Sequence, residues 1–191
     1  MKSSPAPNQP PPRDRGSARV RVVIDTPAGS RNKYKYDTGL GAFCISRRLP
    51  AGLCFPHDFG FVPQTCAEDG DALDVVVLDL EPTFPGCVVT VRPIGILRAQ
   101  QTESGRSIRN DRLIGCGETP VNPARIKELL KELRDLGEER IRSIELFFET
   151  YNRAQGRTFP HHGPGQRAGG PGRPYPGARR IPAHTVGVMR G

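Results

Sequence analysis

The stretch Glu68-Asp69-Gly70-Asp71-Ala72-Leu73-Asp74 runs directly into Val75-Val76-Val77-Leu78, and few folds tolerate that junction. The apolar run has the β-branched character of a buried strand. The seven residues before it carry four carboxylates, which must stay at the strand's mouth, beside water or cations. Two carboxylates about 4 Å apart repel by about 1 kcal/mol in water, and several-fold more where water is scarce. A chain that gathers such charges commonly neutralises them with a bound ion, and hard oxygen donors select Mg2+, Mn2+ or Ca2+ over zinc. Taken alone, the loop also reads as an ordinary Asp/Gly turn. An EF-hand does not fit, because counting from Asp69 the places that need Gly and Glu hold Asp74 and Leu80.

Around this loop the pattern is mostly strand. Val20, Val22 and Ile24 alternate with more polar positions, and Phe43 and Ile45 continue the habit. A Phe84-Pro85-Gly86 turn leads into the β-rich run Cys87 to Val91. Beyond residue 120 the period becomes helical. Asn122 and Pro123 suit a helix start, and Ile126, Leu129, Leu130, Leu133 and Leu136 form one apolar stripe that Gly137 ends. A second stripe runs through Ile141, Ile144, Phe147, Phe148 and Tyr151. Strands first and helices last predict an α+β domain, with helices packed on a small antiparallel barrel or twisted sheet.

The net charge of +8 invites a nucleic-acid reading, but the excess lies at the two ends. Residues 1–19 supply +3 and residues 160–191 supply +5, so the stretch between them is neutral. The same ends are rich in Pro and Gly and cannot bury enough apolar area to offset the ordering of their backbone. We therefore expect disordered tails at 1–18 and 160–191 around a domain at 19–159. Such tails touch nucleic acid weakly at most. A basic-tailed, OB-type nucleic-acid-binding module is one of two alternatives (the other, a relative with lost activity, belongs with the family likeness below), but it wants stacking aromatics on a positive face, and this neutral domain has no Trp.

Cys44, Cys54, Cys66, Cys87 and Cys116 are odd in number and contain no Cys-x-x-Cys pair. They predict small buried thiols in a reducing cytoplasm, with neither a zinc site nor a disulfide framework. No run approaches the roughly 18 apolar residues of a membrane helix, and the N-terminus lacks an apolar secretory stretch. A cytoplasmic protein is the expectation. Basic side chains share the domain with the acidic loop: Lys33, Lys35, Arg47 and Arg48, and Arg109 and Arg112 flanking Asp111. Carboxylate-held Mg2+ facing such cations suits phosphate-ester or phosphoanhydride chemistry.

The segments Val22 to Pro27, Asn32 to Asp37, Phe55 to Phe61 and Glu68 to Val75 resemble the soluble family I inorganic pyrophosphatases. Phe84-Pro85-Gly86, Arg92-Pro93-Ile94-Gly95 and Phe147-Phe148-Glu149-Thr150-Tyr151 follow in the same order. The likeness spans about residues 20–159, and the Asp-Gly-Asp-x-x-Asp loop is its signature. It implies a twisted five-stranded OB-like barrel with two C-terminal helices packed on it. It also implies hydrolysis of inorganic pyrophosphate with several Mg2+ ions, Mn2+ being a substitute, and assembly as a homo-oligomer without a membrane partner.

By position, the resemblance gives Asp69 and Asp74 the metals that share the attacking water, and makes Asp71 a metal ligand and the general base. Asp25 would bind a further metal. Lys33, Arg47, Tyr151 and Arg112 would grip phosphate oxygens, with Lys35 also facing the substrate. Tyr151 reads equally as core, since it lies on the helix's apolar stripe. The remaining acidic ligands are expected at Glu103 and Asp111, although an ungapped alignment puts Gln101 or Asn110 there.

Several positions depart from the family pattern. Asp25 stands where Glu is common, Lys35 where many members have a metal-binding Glu, Phe55 and Phe59 for tyrosines, and Asn152 for a phosphate-binding Lys. Fewer or weaker accessory metal sites, and hence a higher Mg2+ requirement, follow as an expectation. The same departures support the other alternative, a relative with lost activity.

Overall fold

The architecture is taken from a computed structural model, which describes residues 10–12, 19–103, 106–118, 133–158, 161–164 and 179–180. The apolar run after the acidic loop is strand β6 (Leu73–Leu78). Val75 and Val77 enter one apolar cluster and Val76 and Leu78 another, so β6 is buried on both faces. Four strands join it: β1 (Val20–Thr26), β4 (Asp58–Val62), β7 (Val88–Glu103) and β9 (Arg112–Glu118). Their order is β1-β4-β6-β9-β7, and β7 pairs back onto β1. The sheet is therefore a closed five-stranded barrel with no free edge among those strands. It is mixed, not all antiparallel, because β6 and β9 run parallel.

The barrel interior is filled by Val22, Ile24, Val75, Val77, Val91 and Leu113 with their neighbours. The outer face of β6, β7 and β9 lies under helix α1 (Glu138–Arg153), which contributes Ile141, Ile144, Phe147 and Phe148. Those are the residues of the second apolar stripe. Of the first expected helix only the last turn is described. It is a 3-10 turn at Leu133–Leu136 whose two leucines are buried, and residues 119–132 lie outside the described residues.

Two local departures from a regular barrel shape the cavity side. A bulge in the β1–β4 register falls between Ile24 and Thr26 and takes Asp25 out of the ladder. Strands β2 (Asn32–Asp37) and β3 (Ala42–Arg48) form a separate hairpin, with a bulge that leaves Ser46 as the extra residue. This bulge breaks the expected alternation along β3. Ile45 is 61% exposed and does not continue a buried face. The turn expected at Phe84-Pro85-Gly86 is present. The Cys87 amide donates to the Phe84 carbonyl at 3.0 Å, and Gly86 supplies a φ of 96°.

Strand β5 (Thr65–Cys66) and strand β8 (Arg106–Arg109) complete the loops. Two short pieces of the C-terminal Gly/Pro/Arg-rich segment carry pairing. β10 (His161–Pro164) lies against β7, and β11 (Arg179–Arg180) against β5. Those six residues sit on the domain, unlike the expectation of a free tail there. The remainder of 165–191, and residues 1–9 and 13–18, lie outside the described residues. The cysteine expectation is also corrected. Cys116 is buried, but Cys44, Cys66 and Cys87 are half-buried and Cys54 is exposed. Among the described residues no helix is long and apolar enough to cross a membrane.

Gly60 tests the tight strand crossing beside the Asp25 bulge. It pairs with Ile24, and a Cβ there would stand 2.2 Å from the Val23 carbonyl oxygen. Backbone cannot yield as a flexible side chain can. Gly60→Ala is expected to lower unfolding stability by about 3 kcal/mol in urea titration. A loss within about 0.5 kcal/mol would contradict the close approach.

Candidate active site

A cavity of about 520 Å3 opens where the β2–β3 hairpin, the acidic loop and the end of α1 meet the barrel. Strand geometry explains who faces it. Lys33 and Lys35 are two apart on β2 and share its cavity side. Arg47 pairs opposite Lys33 across the hairpin, and the Ser46 bulge turns both Ser46 and Arg47 to the cavity. Ser46 Oγ donates to the Lys33 carbonyl at 3.1 Å, which fixes the bulge.

The acidic loop is held by its own backbone. The Asp71 amide donates to Asp69 Oδ1 at 3.1 Å, and the Ala67 amide donates to the Asp71 carbonyl at 2.7 Å. Gly70 turns the chain with a φ of 85°. This arrangement sends Asp69, Asp71 and Asp74 to the cavity. Glu68, the fourth carboxylate of the loop, is exposed and is not part of the cavity wall.

Most of these carboxylates meet a protein cation. The Lys33 ammonium donates to both oxygens of Asp25 at 2.8 Å, and both residues are buried. The same ammonium lies 4.1 Å from the Phe59 ring centre and 5.6 Å from that of Phe55. Lys35 Nζ donates to Asp71 Oδ2 at 3.3 Å. Arg112 is 4% exposed, lies 4.4 Å from the Phe148 ring centre, and brings its Nε to 3.9 Å from Asp74 Oδ2. Burial pushes the Asp69 carboxyl above its ordinary range. Burial pushes Asp74 up to about 6, against the counter-pull of Arg112 and Lys33. Burial also lowers Arg112. A site that raises two carboxyls and lowers a guanidinium favours any ligand that neutralises it.

The sequence candidates divide as follows. Asp25, Lys33, Lys35, Arg47, Asp69, Asp71, Asp74, Arg112 and Tyr151 all line the one cavity. Tyr151 does so while its ring packs on Phe55 and Phe147, so its core role and its cavity face coexist. Asp111 does not line the cavity. Its Oδ2 accepts from Arg109 Nε at 2.8 Å and Nη2 at 2.5 Å, and its Oδ1 accepts from the Ala99 amide at 3.3 Å. It ties β8 and β7 together, and Asn110 takes the cavity position beside it. Glu103 ends β7 opposite Arg106, and its side chain lies outside the described residues.

Sequence reasoning missed Ser46, Gln155 and Arg157. Arg157 stands in the turn after α1, where its amide and that of Gln155 donate to the Asn152 carbonyl at 3.1 and 2.9 Å. The buried Asn152 side chain donates to the Phe148 carbonyl at 2.8 Å. The one available signal was Gly156, whose φ of 70° folds the chain back towards the cavity.

Asp69, Asp71 and Asp74 offer only carboxylate oxygens, the donor chemistry of a hard divalent cation. Among the described residues no three such groups converge as a finished cage. Their oxygens fit a hard divalent cation in kind and face one cavity, with Asp71 paired to Lys35 and Asp74 to Arg112.

A closed barrel presenting an acidic loop to a cationic cavity has the side-chain chemistry that metal-assisted phosphate handling uses. A family model for inorganic pyrophosphatase matches residues 22–167. An inorganic pyrophosphatase of Synechocystis is 40% identical over 132 residues, covering 69% of this chain and 73% of that protein. That of Thermus thermophilus is 39% identical over 138 residues, covering 72% and 74%. The solved structure of an inorganic pyrophosphatase from Thermus thermophilus superposes with a TM-score of 0.69 at 36% identity, over 80% of this chain and 85% of that one. The chain belongs to the inorganic pyrophosphatase family.

The raised carboxyl of Asp74 has a consequence for the cation-free protein. Its ordinary value is 3.8 and its folded value about 6, so the folded state binds a proton more readily. Stability from that group is complete below about 3.8 and is lost as pH rises through 6. Asp74→Asn mimics the protonated form. In chelator-treated protein at neutral pH it is expected to be more stable than the parent by about 1–2 kcal/mol. Calorimetry across pH should show that gap closing towards pH 4, and a gap that widens would contradict the assignment.

Proposed function

We propose that the chain hydrolyses inorganic pyrophosphate to two phosphates, using Mg2+ held by Asp69, Asp71 and Asp74. The observation that carries this reading is the acidic loop facing Lys33, Arg47 and Arg112 across one cavity. A bound divalent cation supplies charge compensation for the phosphate oxygens and makes water in the cavity more acidic. Arg47 and Tyr151 grip and orient the phosphate oxygens, and Arg112 sets a fixed positive charge behind them. Asp71 accepts the proton of the attacking water as its oxygen bonds to phosphorus and the bridging P–O bond breaks. Lys35, 3.3 Å from Asp71, holds that carboxylate at the cavity mouth. The Asp25–Lys33 pair is closed on itself, so it acts first as a scaffold for the β1–β2 wall. The unpaired thiols support a reducing cytoplasm as the setting, and homo-oligomeric assembly is carried from the family likeness.

Phosphate release should be measured with Mg2+ for the parent, Asp71→Asn and Asp74→Asn. Turnover by the parent is expected, with both variants lower by about a hundredfold or more. Equal rates in all three would end the assignment and leave a family member without hydrolytic activity.

The neutral Asn110 at the cavity wall supports a high Mg2+ requirement, since an amide oxygen brings no charge to a hard cation. Asn110→Asp is expected to lower the half-saturating Mg2+ concentration by about tenfold, read by calorimetric titration as well as by rate. An unchanged or raised value would sink that explanation.

A further inference from the structure

The Arg-rich C-terminal stretch is a charged feature that the proposed reaction leaves unused. Residues 160–191 carry +5 with no acid, and two short pieces of that stretch rest on the domain. β10 pairs with β7 at Leu97 and Ala99. Residues 165–178 follow, and β11 then pairs with β5, Arg179 opposite Cys66 and Arg180 opposite Thr65. Strand β5 leads straight into the acidic loop. Ala67 donates its amide to the Asp71 carbonyl at 2.7 Å and accepts the Gly70 amide at 3.1 Å. Thr65 Oγ1 accepts from the Leu73 amide at 2.9 Å and donates to the Val62 carbonyl at 2.6 Å. Hydrogen bonds thus close residues 65–73 on themselves, and Gln64 and Thr65 line the cavity together with Asp69, Asp71 and Asp74. The backbone of two arginines is therefore seated one strand spacing, about 5 Å, from the base of the loop.

Two residue pairs hold a segment weakly by backbone bonds alone. The loop offers a second attraction. Among the described residues its ion pairs are Lys35 on Asp71 and Arg112 on Asp74. Asp69 and the exposed Glu68 add two carboxylates to which no described residue supplies an ion pair. The pairing of β10 with β7 tethers the arginines to the domain and so raises their local concentration at β5.

We propose that the Arg179–Arg180 segment and a divalent cation compete for the acidic loop, so that each weakens the other's hold. The cation's place at the loop rests on the pyrophosphatase reading, whereas the docking of β11 on β5 does not. A unit positive charge about 8 Å from a divalent cation weakens binding of that cation by about fivefold in water. Salt screens the effect. Linkage is reciprocal, so the cation must loosen β11 by the same factor.

The test uses the full-length chain stripped over a chelating resin and titrated calorimetrically with Mg2+. Three proteins are compared: the parent, the double variant Arg179→Gln/Arg180→Gln, and the double variant Arg167→Gln/Arg173→Gln. The last removes the same charge from the same stretch but not from β11. At low ionic strength the Arg179/Arg180 variant should bind Mg2+ about fivefold or more tighter than the parent, and the Arg167/Arg173 variant should stay within about twofold of it. The gap should shrink at about 0.3 M salt. Millisecond hydrogen exchange reads the opposite direction, and saturating Mg2+ should speed exchange at residues 179–180 of the parent by about fivefold. Equal Mg2+ affinity in the parent and the Arg179/Arg180 variant would overturn the proposal. So would exchange at β11 that Mg2+ does not move, or an equal gain from both double variants, which would assign the effect to overall charge. Either result in a protein that hydrolyses pyrophosphate with Mg2+ leaves the enzymatic reading standing. The expected gain in Mg2+ affinity, in a protein that fails to hydrolyse pyrophosphate, would sink the enzymatic reading and keep this one.

Discussion

The pairing of buried and half-buried carboxylates with protein cations is the constraint on which this site depends. Strand β6 must enter the barrel as an apolar rod, yet Asp74 lies within it and Asp69 and Asp71 precede it. Burial raises Asp74 to about 6 even with Arg112 and Lys33 nearby. Without those cations the loop could not sit this close to the core as charged groups. Arg112 in turn is buried and lowered by desolvation, and it survives there because Asp74 faces one edge and the Phe148 ring faces its plane. The barrel and helix α1 are thus joined through the site as well as through the apolar core.

The backbone achieves this with bulges. In an unbroken β1, Ile24 and Asp25 would point to opposite faces, and Asp25 would have no route to Lys33 except across the sheet. The bulge between Ile24 and Thr26 frees Asp25 from the ladder and lets it meet Lys33 on the neighbouring strand. Gly60 permits this by letting β4 lie against the Val23 carbonyl. A second bulge at Ser46 turns Arg47 to the same side. Simple alternation along β3 does not explain Arg47's placement, since Ile45, two residues before it, is exposed.

Legibility in the sequence follows the range of the signal. The acidic loop, the apolar run of β6 and the stripe of α1 are local patterns, and each was readable from spacing alone. The cavity residues of β1 and β2 were reached through the family likeness, because no local rule brings Asp25 beside Lys33. Asp111 shows the limit of residue type as a guide. Residue type favoured the carboxylate, and only an ungapped alignment offered the amide beside it, yet Arg109 and the Ala99 amide capture Asp111 while Asn110 faces the cavity. Arg157 had only Gly156 as a signal, because its placement depends on how α1 ends. That end is set by the Asn152 carbonyl and a left-handed glycine, neither of which announces a cavity.

The aromatic pair beside Lys33 explains why the cations divide their work. Phe55 and Phe59 present ring faces to the ammonium at 5.6 and 4.1 Å, where hydroxyls would have offered it hydrogen-bond acceptors or the ligand a donor. With two aromatic faces and both oxygens of Asp25 around it, Lys33 has little reason to turn to an incoming phosphate. Its desolvation is already compensated, and leaving Asp25 would strand a buried carboxylate. Positive charge at the cavity mouth is therefore more accessible at Arg47, exposed on β3, and at Lys35, whose bond to Asp71 is long and half in water, than at Lys33. The deep pair of Lys33 and Asp25 fixes the wall.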